Sequence, residues 1–452
     1  MVSLVAMAQI GGDMLIERSA PTPTWRVFLS AFSNFPARFR REVSGGVYRP
    51  EIDGLRFFAI AIVIFGHLFQ RCSRFFPSFQ AVADGSAAGG LLHLGPGLGV
   101  YLFFTISGFI IATQARKARV SPLSGGFLKA YFGRRVLRIE PPYMILLVAT
   151  WLLLAATGYQ PEGTRQFFTE PQSINLSLLG SLFYAHDVIW GAFPRLFPPG
   201  WTLEVEVQFY IIAPLLFWIW FRLDDARVRF LFAATVLLVG SLFSTFAPRQ
   251  IGPFFTYYSI LRYFPLFWLG IILADLRVWL TAMTAGLSPA LLTAVGWLGL
   301  MDFLFLPDAP DSLLPGLFFW GAADIAIVAM FMSAFAPQSG FRRFCALPWI
   351  SLVGGACYSL YLVHMQVIQI LSTLAAKLAP GLSFGGVLAV MLLQIVIVIV
   401  AGLTFYVLIE RTFMMPKWHL SLIARLRTAA RALRPRQEAL PGGSRIKSTQ
   451  SR

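Results

Sequence analysis

The stretch RPEIDGLRFFAIAIVIFGHLF (residues 49–69) begins with charge, turns apolar, and then sets a histidine, His67, inside the apolar run. Arg56 stands eleven residues before His67. On a helix that spacing is about three turns, so the two share a face, with His67 roughly 16 Å further along the axis. If the helix enters a membrane near Arg56, a base lies close to mid-bilayer with a cation below it. Ionisable groups at that depth are costly and usually line a cavity or a path. A neutral imidazole takes up a proton near neutral pH. The bland alternative is a histidine that only bonds a neighbouring helix.

A second cluster is FGRRVLRIEPPY (132–143), in which Arg135 and Arg138 form an Arg-x-x-Arg pair beside Arg134. Residues three apart share a helix face, and guanidinium forks suit phosphate. Plain membrane topology explains the neighbouring Arg116, Lys117 and Arg119 equally well. A third cluster, PPGWTLEVEVQFYIIAPLL (198–216), carries Glu204, Glu206 and Gln208 in an apolar segment. Such groups bind hydroxyls or bond between helices. Arg262 lies within another apolar run and needs a partner, for which Glu206 is a candidate. Tyr358 and Tyr361 line a cavity or simply pack. His364 is the other histidine worth testing, ahead of His93, His186 and His419.

These clusters need elements to hold them, and composition says which. The 452 residues are 57% hydrophobic and 13% charged, with mean hydropathy +0.69. A soluble domain carries about twice that charge. Apolar runs near 57–77, 91–113, 143–158, 201–221, 229–247, 254–274, 287–306, 314–336, 348–373 and 383–409 have the length of membrane spans. The expected fold is an all-α polytopic bundle of about ten transmembrane helices. The 174–190 stretch carries Asn175, His186 and Asp187 and reads as a re-entrant or interfacial piece of a loop.

Charge orients the bundle. Basic residues crowd the segment before the first span, the 114–142 loop, the segments after the fourth and eighth spans, and the C-terminus. With ten spans all of these fall on one side, so both termini are expected in the cytoplasm. The same rule accounts for the net charge of +16 without nucleic acid as a partner. The three cysteines have no metal or disulfide spacing, so no metal site is expected. Residues 1–47 lack the order of a secretory signal and read as a cytoplasmic tail. Residues 48–415 form the membrane domain. Residues 416–452 form a basic tail that is disordered or rests on anionic lipid.

The ordered set of motifs resembles acyltransferase family 3, the bacterial integral-membrane O-acyltransferases of glycans. Arg56 and His67 match its arginine–ten residues–histidine opening. YLFFTISGFIIA (101–112), FGRRVLRIEPPY, PPGWTLEVEVQFYIIAPLL, YSLYLVHMQVI (358–368) and VLIERTF (407–413) follow in the family's order. Two positions depart: Val207 follows Glu206 where a second glutamate is common, and Thr412 stands for proline.

The resemblance implies transfer of an acyl group, most simply acetyl, from cytoplasmic acyl-CoA to a hydroxyl of a surface glycan or lipid-linked saccharide. No permanently bound cofactor is implied; acyl-CoA is a co-substrate. His67 is then the general base, with a covalent acyl-histidine as the variant that needs more assumptions. Arg56 binds phosphate or polarises the carbonyl, and Asp53 orients Arg56. Arg134, Arg135 and Arg138 bind acyl-CoA. Glu206 and Gln208, with Arg262 and Tyr358, serve the acceptor or the structure. The expected geometry is a cavity across the bundle, with Glu206 near the face opposite the arginines and His67 between. The expected location is the bacterial inner membrane, with lipid as the surrounding partner. A transporter of a solute or proton, or a same-fold acylase of a small molecule, is the rival reading.

Overall fold

The computed structural model describes residues 48–85, 94–161, 172–246, 248–306 and 312–414, with Pro36 and Phe39. The tails expected over 1–47 and 416–452, and with them His419, fall outside the described residues, as does His93. The described chain is a helical bundle. Its helices are α1 (Pro50–Phe75), α2 (Pro77–Gly85), α3 (Gly97–Lys117), α4 (Gly125–Thr157), α5 (Ile174–Leu182) and α6 (His186–Trp190). They continue with α7 (Trp201–Trp220), α8 (Ala226–Phe246), α9 (Ile260–Thr284), α10 (Pro289–Leu304), α11 (Leu313–Phe335) and α12 (Gly340–Cys345). The last are α13 (Pro348–Gly355), α14 (Cys357–Leu378), α15 (Phe384–Phe405), a π-helical turn Tyr406–Glu410 and α16 (Arg411–Met414). Two strands of two residues, β1 (Gln250–Ile251) and β2 (Phe254–Phe255), form a hairpin before α9.

Nine helical segments among the described residues are long and apolar enough to cross a membrane, and α10 is a shorter apolar helix of 16 residues. This is a multi-pass membrane protein, and each of the ten expected runs falls on one of these elements. Three boundaries differ from expectation. The segment expected as a basic loop over 114–142 is helical from Gly125, where Ser124 caps the backbone N–H of Phe127. The run 348–373 is broken after Gly355 into α13 and α14. The 174–190 stretch is two short helices, α5 and α6.

Lipid tails are as apolar as leucine, so association inside a bilayer relies on close packing and buried polar bonds more than on the hydrophobic effect. Both are visible. In α1, 72% of the most apolar window is buried, against 17% in α8, so α1 is the interior helix and α8 faces outward. Helices α3 and α9 touch backbone to backbone. A Cβ added to Gly108 would lie 2.2 Å from the carbonyl oxygen of Phe267, and one on Gly270 would lie 2.1 Å from that of Thr105. A Cβ on Gly354 of α13 would fall 1.7 Å from the carbonyl oxygen of Asp53. That contact presses α13 onto the first turns of α1, where Asp53 and Arg56 stand.

Candidate active site

The site starts at the first turns of α1. Pro50 opens the helix, where its missing N–H costs nothing. Asp53 and Arg56, three residues apart, face each other, and Arg56 Nη1 donates to Asp53 Oδ1 at 2.8 Å. Both are buried. A buried guanidinium needs a counter-charge, and Asp53 supplies it while fixing the direction of the fork.

Arg56 lines a cavity of about 670 Å³, counted to its open end. Across it stand Arg135 and Arg138 from α4, Ser107 from α3, Glu206 from α7, and Tyr358 and Tyr361 from α14. Arg135 is buried, donates to Gln114 Oε1, and lies over the rings of Tyr131 and Tyr210 at 5.7 and 5.6 Å. Arg138 is only partly buried, and its guanidinium has no hydrogen bond or ion pair among the described residues. Arg134 is exposed and does not line the cavity. Just beyond Arg138, Pro141 and Pro142 remove two backbone donors from α4. Tyr358 spans from α14 to this stretch and donates to the Ile139 carbonyl at 2.8 Å.

Glu206 shares the cavity with the arginines instead of lying near the opposite face. The reason is the early start of α4, which carries Arg135 and Arg138 into the bundle on a helix of 33 residues. Ser107 Oγ donates to Glu206 Oε1 at 2.8 Å, and the Tyr210 hydroxyl donates to the same oxygen. Glu206 therefore does not partner Arg262. Arg262 is buried with its guanidinium 3.9 Å from the centre of the Tyr257 ring. Gln208 Oε1 accepts the N–H of Ile260 at 2.8 Å and so holds the start of α9. Neither Gln208 nor Arg262 is a cavity-lining residue.

His67 is partly buried and does not line this cavity. It joins the wall through two bonds. His67 Nδ1 lies 3.1 Å from His364 Nε2, and His364 Nδ1 donates to the Tyr361 carbonyl at 2.6 Å. The Tyr361 side chain faces the cavity. Its hydroxyl donates to the Pro199 carbonyl and so accepts from Thr202 Oγ1 at 2.6 Å. Tyr361 thus stands between the arginine-lined space and the histidine pair, where the sequence suggested one continuous cavity.

Several functional side chains carried no sequence signal of their own. Gln114 and Tyr210 hold Arg135 and Glu206; Gln114 lies outside the motifs read above, and Tyr210 lies within PPGWTLEVEVQFYIIAPLL without a role read for it. Glu410, on the π-helical turn, accepts from the backbone N–H of Ser359 at 3.2 Å and its hydroxyl at 2.6 Å. YSLYLVHMQVI and VLIERTF are thereby clasped together. Glu204 accepts the backbone N–H groups of His186 and Asp187 at 3.1 and 3.0 Å, so it anchors α6 outside the cavity. Burial pushes the Asp187 carboxyl up to about 8 and the His186 imidazole down to about 4. Both are uncharged near pH 7.

The acyltransferase domain model matches residues 49–411. The chain is 24% identical to the peptidoglycan O-acetyltransferase OatA of Listeria monocytogenes over 352 residues, covering 74% of this chain and 52% of that protein. It is 26% identical to the acyltransferase MdmB of Streptomyces mycarofaciens over 415 residues, 87% of this chain and 97% of that one. It is 28% identical to nodulation protein 10 of Rhizobium leguminosarum bv. viciae over 182 residues, 39% of this chain and 46% of that one. The match thus spans about half the length of the Listeria relative. No solved structure matches significantly. A family model that covers residues 49–411 takes in most of the chain and every cavity-lining residue named above, so the chain belongs to acyltransferase family 3.

Proposed function

We propose that the protein is a membrane O-acyltransferase of the bacterial inner membrane, with both termini in the cytoplasm. It moves an acyl group, most simply acetyl, from acyl-CoA to a hydroxyl of a surface glycan or lipid-linked saccharide. The observation that carries this reading is a membrane-protein cavity lined by three guanidinium groups, Arg56, Arg135 and Arg138, of which Arg138 makes no hydrogen bond or ion pair among the described residues. Such a group calls for an anion, and the phosphates of coenzyme A are anions suited to guanidinium forks. The two relatives named for acyl transfer support the reaction class.

In this reading the CoA phosphates rest on Arg138 and Arg135, while Arg56 is held ready by Asp53. For the thin acyl-pantetheine arm to reach His67, the Tyr361 side chain that stands between the cavity and the histidine pair must move aside. His67 Nε2 takes the acceptor hydroxyl proton as the oxygen attacks the thioester carbonyl. The tetrahedral oxyanion collapses, the C–S bond breaks, and the CoA thiolate recovers the proton from His67. The acceptor gains the acyl group and free CoA leaves. Glu206, bonded by Ser107 and Tyr210, offers its remaining oxygen to a sugar hydroxyl.

Purified protein in detergent, given acetyl-CoA and a lipid-linked saccharide pool, tests this. The expected result is acceptor-dependent release of free CoA and a gain of one acetyl mass on the saccharide. Transport of solute by reconstituted protein without any thioester cleavage would favour the transporter instead.

A further inference from the structure

The two histidines that meet behind Tyr361 have bonding roles that can be read atom by atom. A carbonyl oxygen only accepts, so the proton on His364 sits on Nδ1, facing the Tyr361 carbonyl at 2.6 Å. Neutral His364 then presents a bare Nε2. That lone pair faces His67 Nδ1 at 3.1 Å. Two bare nitrogens would repel, so His67 Nδ1 carries the hydrogen. His67 Nε2 is left as the unprotonated nitrogen.

We propose that His364 is a positioning residue, which holds His67 in the tautomer whose free lone pair is on Nε2. This rests on the reading of His67 as general base. His364 is itself fully buried and anchored to its own helix, so it is a rigid acceptor. A neutral histidine side chain in water prefers the opposite tautomer, and a base needs its lone pair on the nitrogen that meets the substrate. When Nε2 gains the hydroxyl proton, the imidazolium keeps its Nδ1–H directed at His364 Nε2. The role is that of the carboxylate behind the histidine of a hydrolase triad, performed by a neutral ring. A neutral acceptor gives no Coulomb attraction, so its loss costs less than loss of a carboxylate.

The test uses full-length protein labelled with ¹⁵N-histidine. The chain has five histidines, and His67→Gln identifies the His67 signals by difference. In the wild type, His67 is expected with Nδ1 protonated and Nε2 bare. In His364→Leu, which removes the acceptor, His67 is expected to shift towards the Nε2–H form. The kcat should fall by about 10- to 100-fold with the KM for acyl-CoA unchanged. In His364→Gln, whose side-chain oxygen can accept at the position of Nε2, both the tautomer and most of the kcat should return. A wild-type His67 protonated on Nε2 overturns the proposal. So does an unchanged His67 tautomer or kcat in His364→Leu, or a Gln variant no better than Leu. Full activity in His67→Gln would sink the base reading alone and leave the tautomer result standing.

Discussion

Arg56 and Asp53 form an ion pair at 2.8 Å, one turn apart on α1 and both out of solvent, with the backbone of Gly354 packed on the Asp53 carbonyl. Removing one partner of a buried pair costs about 3–5 kcal/mol, because the other charge is left uncompensated. Asp53→Ala should therefore lower the melting temperature of purified protein markedly. Asp53→Asn keeps an acceptor for Arg56 and should fold. It should lose about tenfold in kcat/KM, since the guanidinium is no longer held by charge. Unchanged stability and kinetics in both variants would show that the pair does not organise the site.

Arg138 and Arg134 make a matched contrast, four residues apart on α4 with one in the cavity and the other exposed. Arg138→Ala should raise the KM for acyl-CoA by about 10- to 100-fold, as expected for a charge-assisted contact worth about 1.5–3 kcal/mol. The KM for the acceptor should move little. Arg134→Ala should remain within about twofold of wild type on both. Equal losses in the two variants, or loss only of membrane abundance, would assign both arginines to topology.

Asp187 and His186 predict a pH dependence of stability. The Asp187 carboxyl rises from its ordinary value of 3.8 to about 8 in the fold. Between those values the folded chain holds a proton that the unfolded chain has released. Stability therefore falls as pH rises through this window, by at most about 1.4 kcal/mol per pH unit. His186 acts in the opposite sense: its value drops from 6.5 to about 4, so stability is lost as pH falls through that range. Asp187→Asn removes the first effect. Its melting temperature should match or exceed wild type at pH 8, with a smaller advantage at pH 5.5. A variant less stable than wild type at pH 8 would show that ionised Asp187 has a favourable partner.

The fold was legible because a bilayer demands long apolar runs, and each run was present in the sequence. The Arg56–Asp53 pair was legible too, since a three-residue spacing on a helix sets the faces. The failures have a common cause. Arg135 and Arg138 looked like a loop because charge interrupts hydropathy. Ser124 nevertheless caps a helix there, and Tyr131, Tyr210 and Gln114 receive Arg135 inside the bundle. Glu204 and Glu206, two residues apart, point to different neighbours: one anchors α6 and the other enters the cavity. Long-range partners of this kind depend on which helices meet, and local spacing carries no record of that. The same holds for His364, which meets His67 across 297 positions of sequence.

The central claim is that His67 takes the proton during acyl transfer. Its most direct test is single-turnover transfer from radiolabelled acetyl-CoA to the saccharide acceptor by wild type and His67→Gln at matched protein and saturating donor. The glutamine can hydrogen-bond but cannot accept a proton near neutral pH. The account predicts wild-type donor binding with transfer reduced by about 100-fold or more. Transfer by the correctly folded variant at a rate near that of wild type would contradict it.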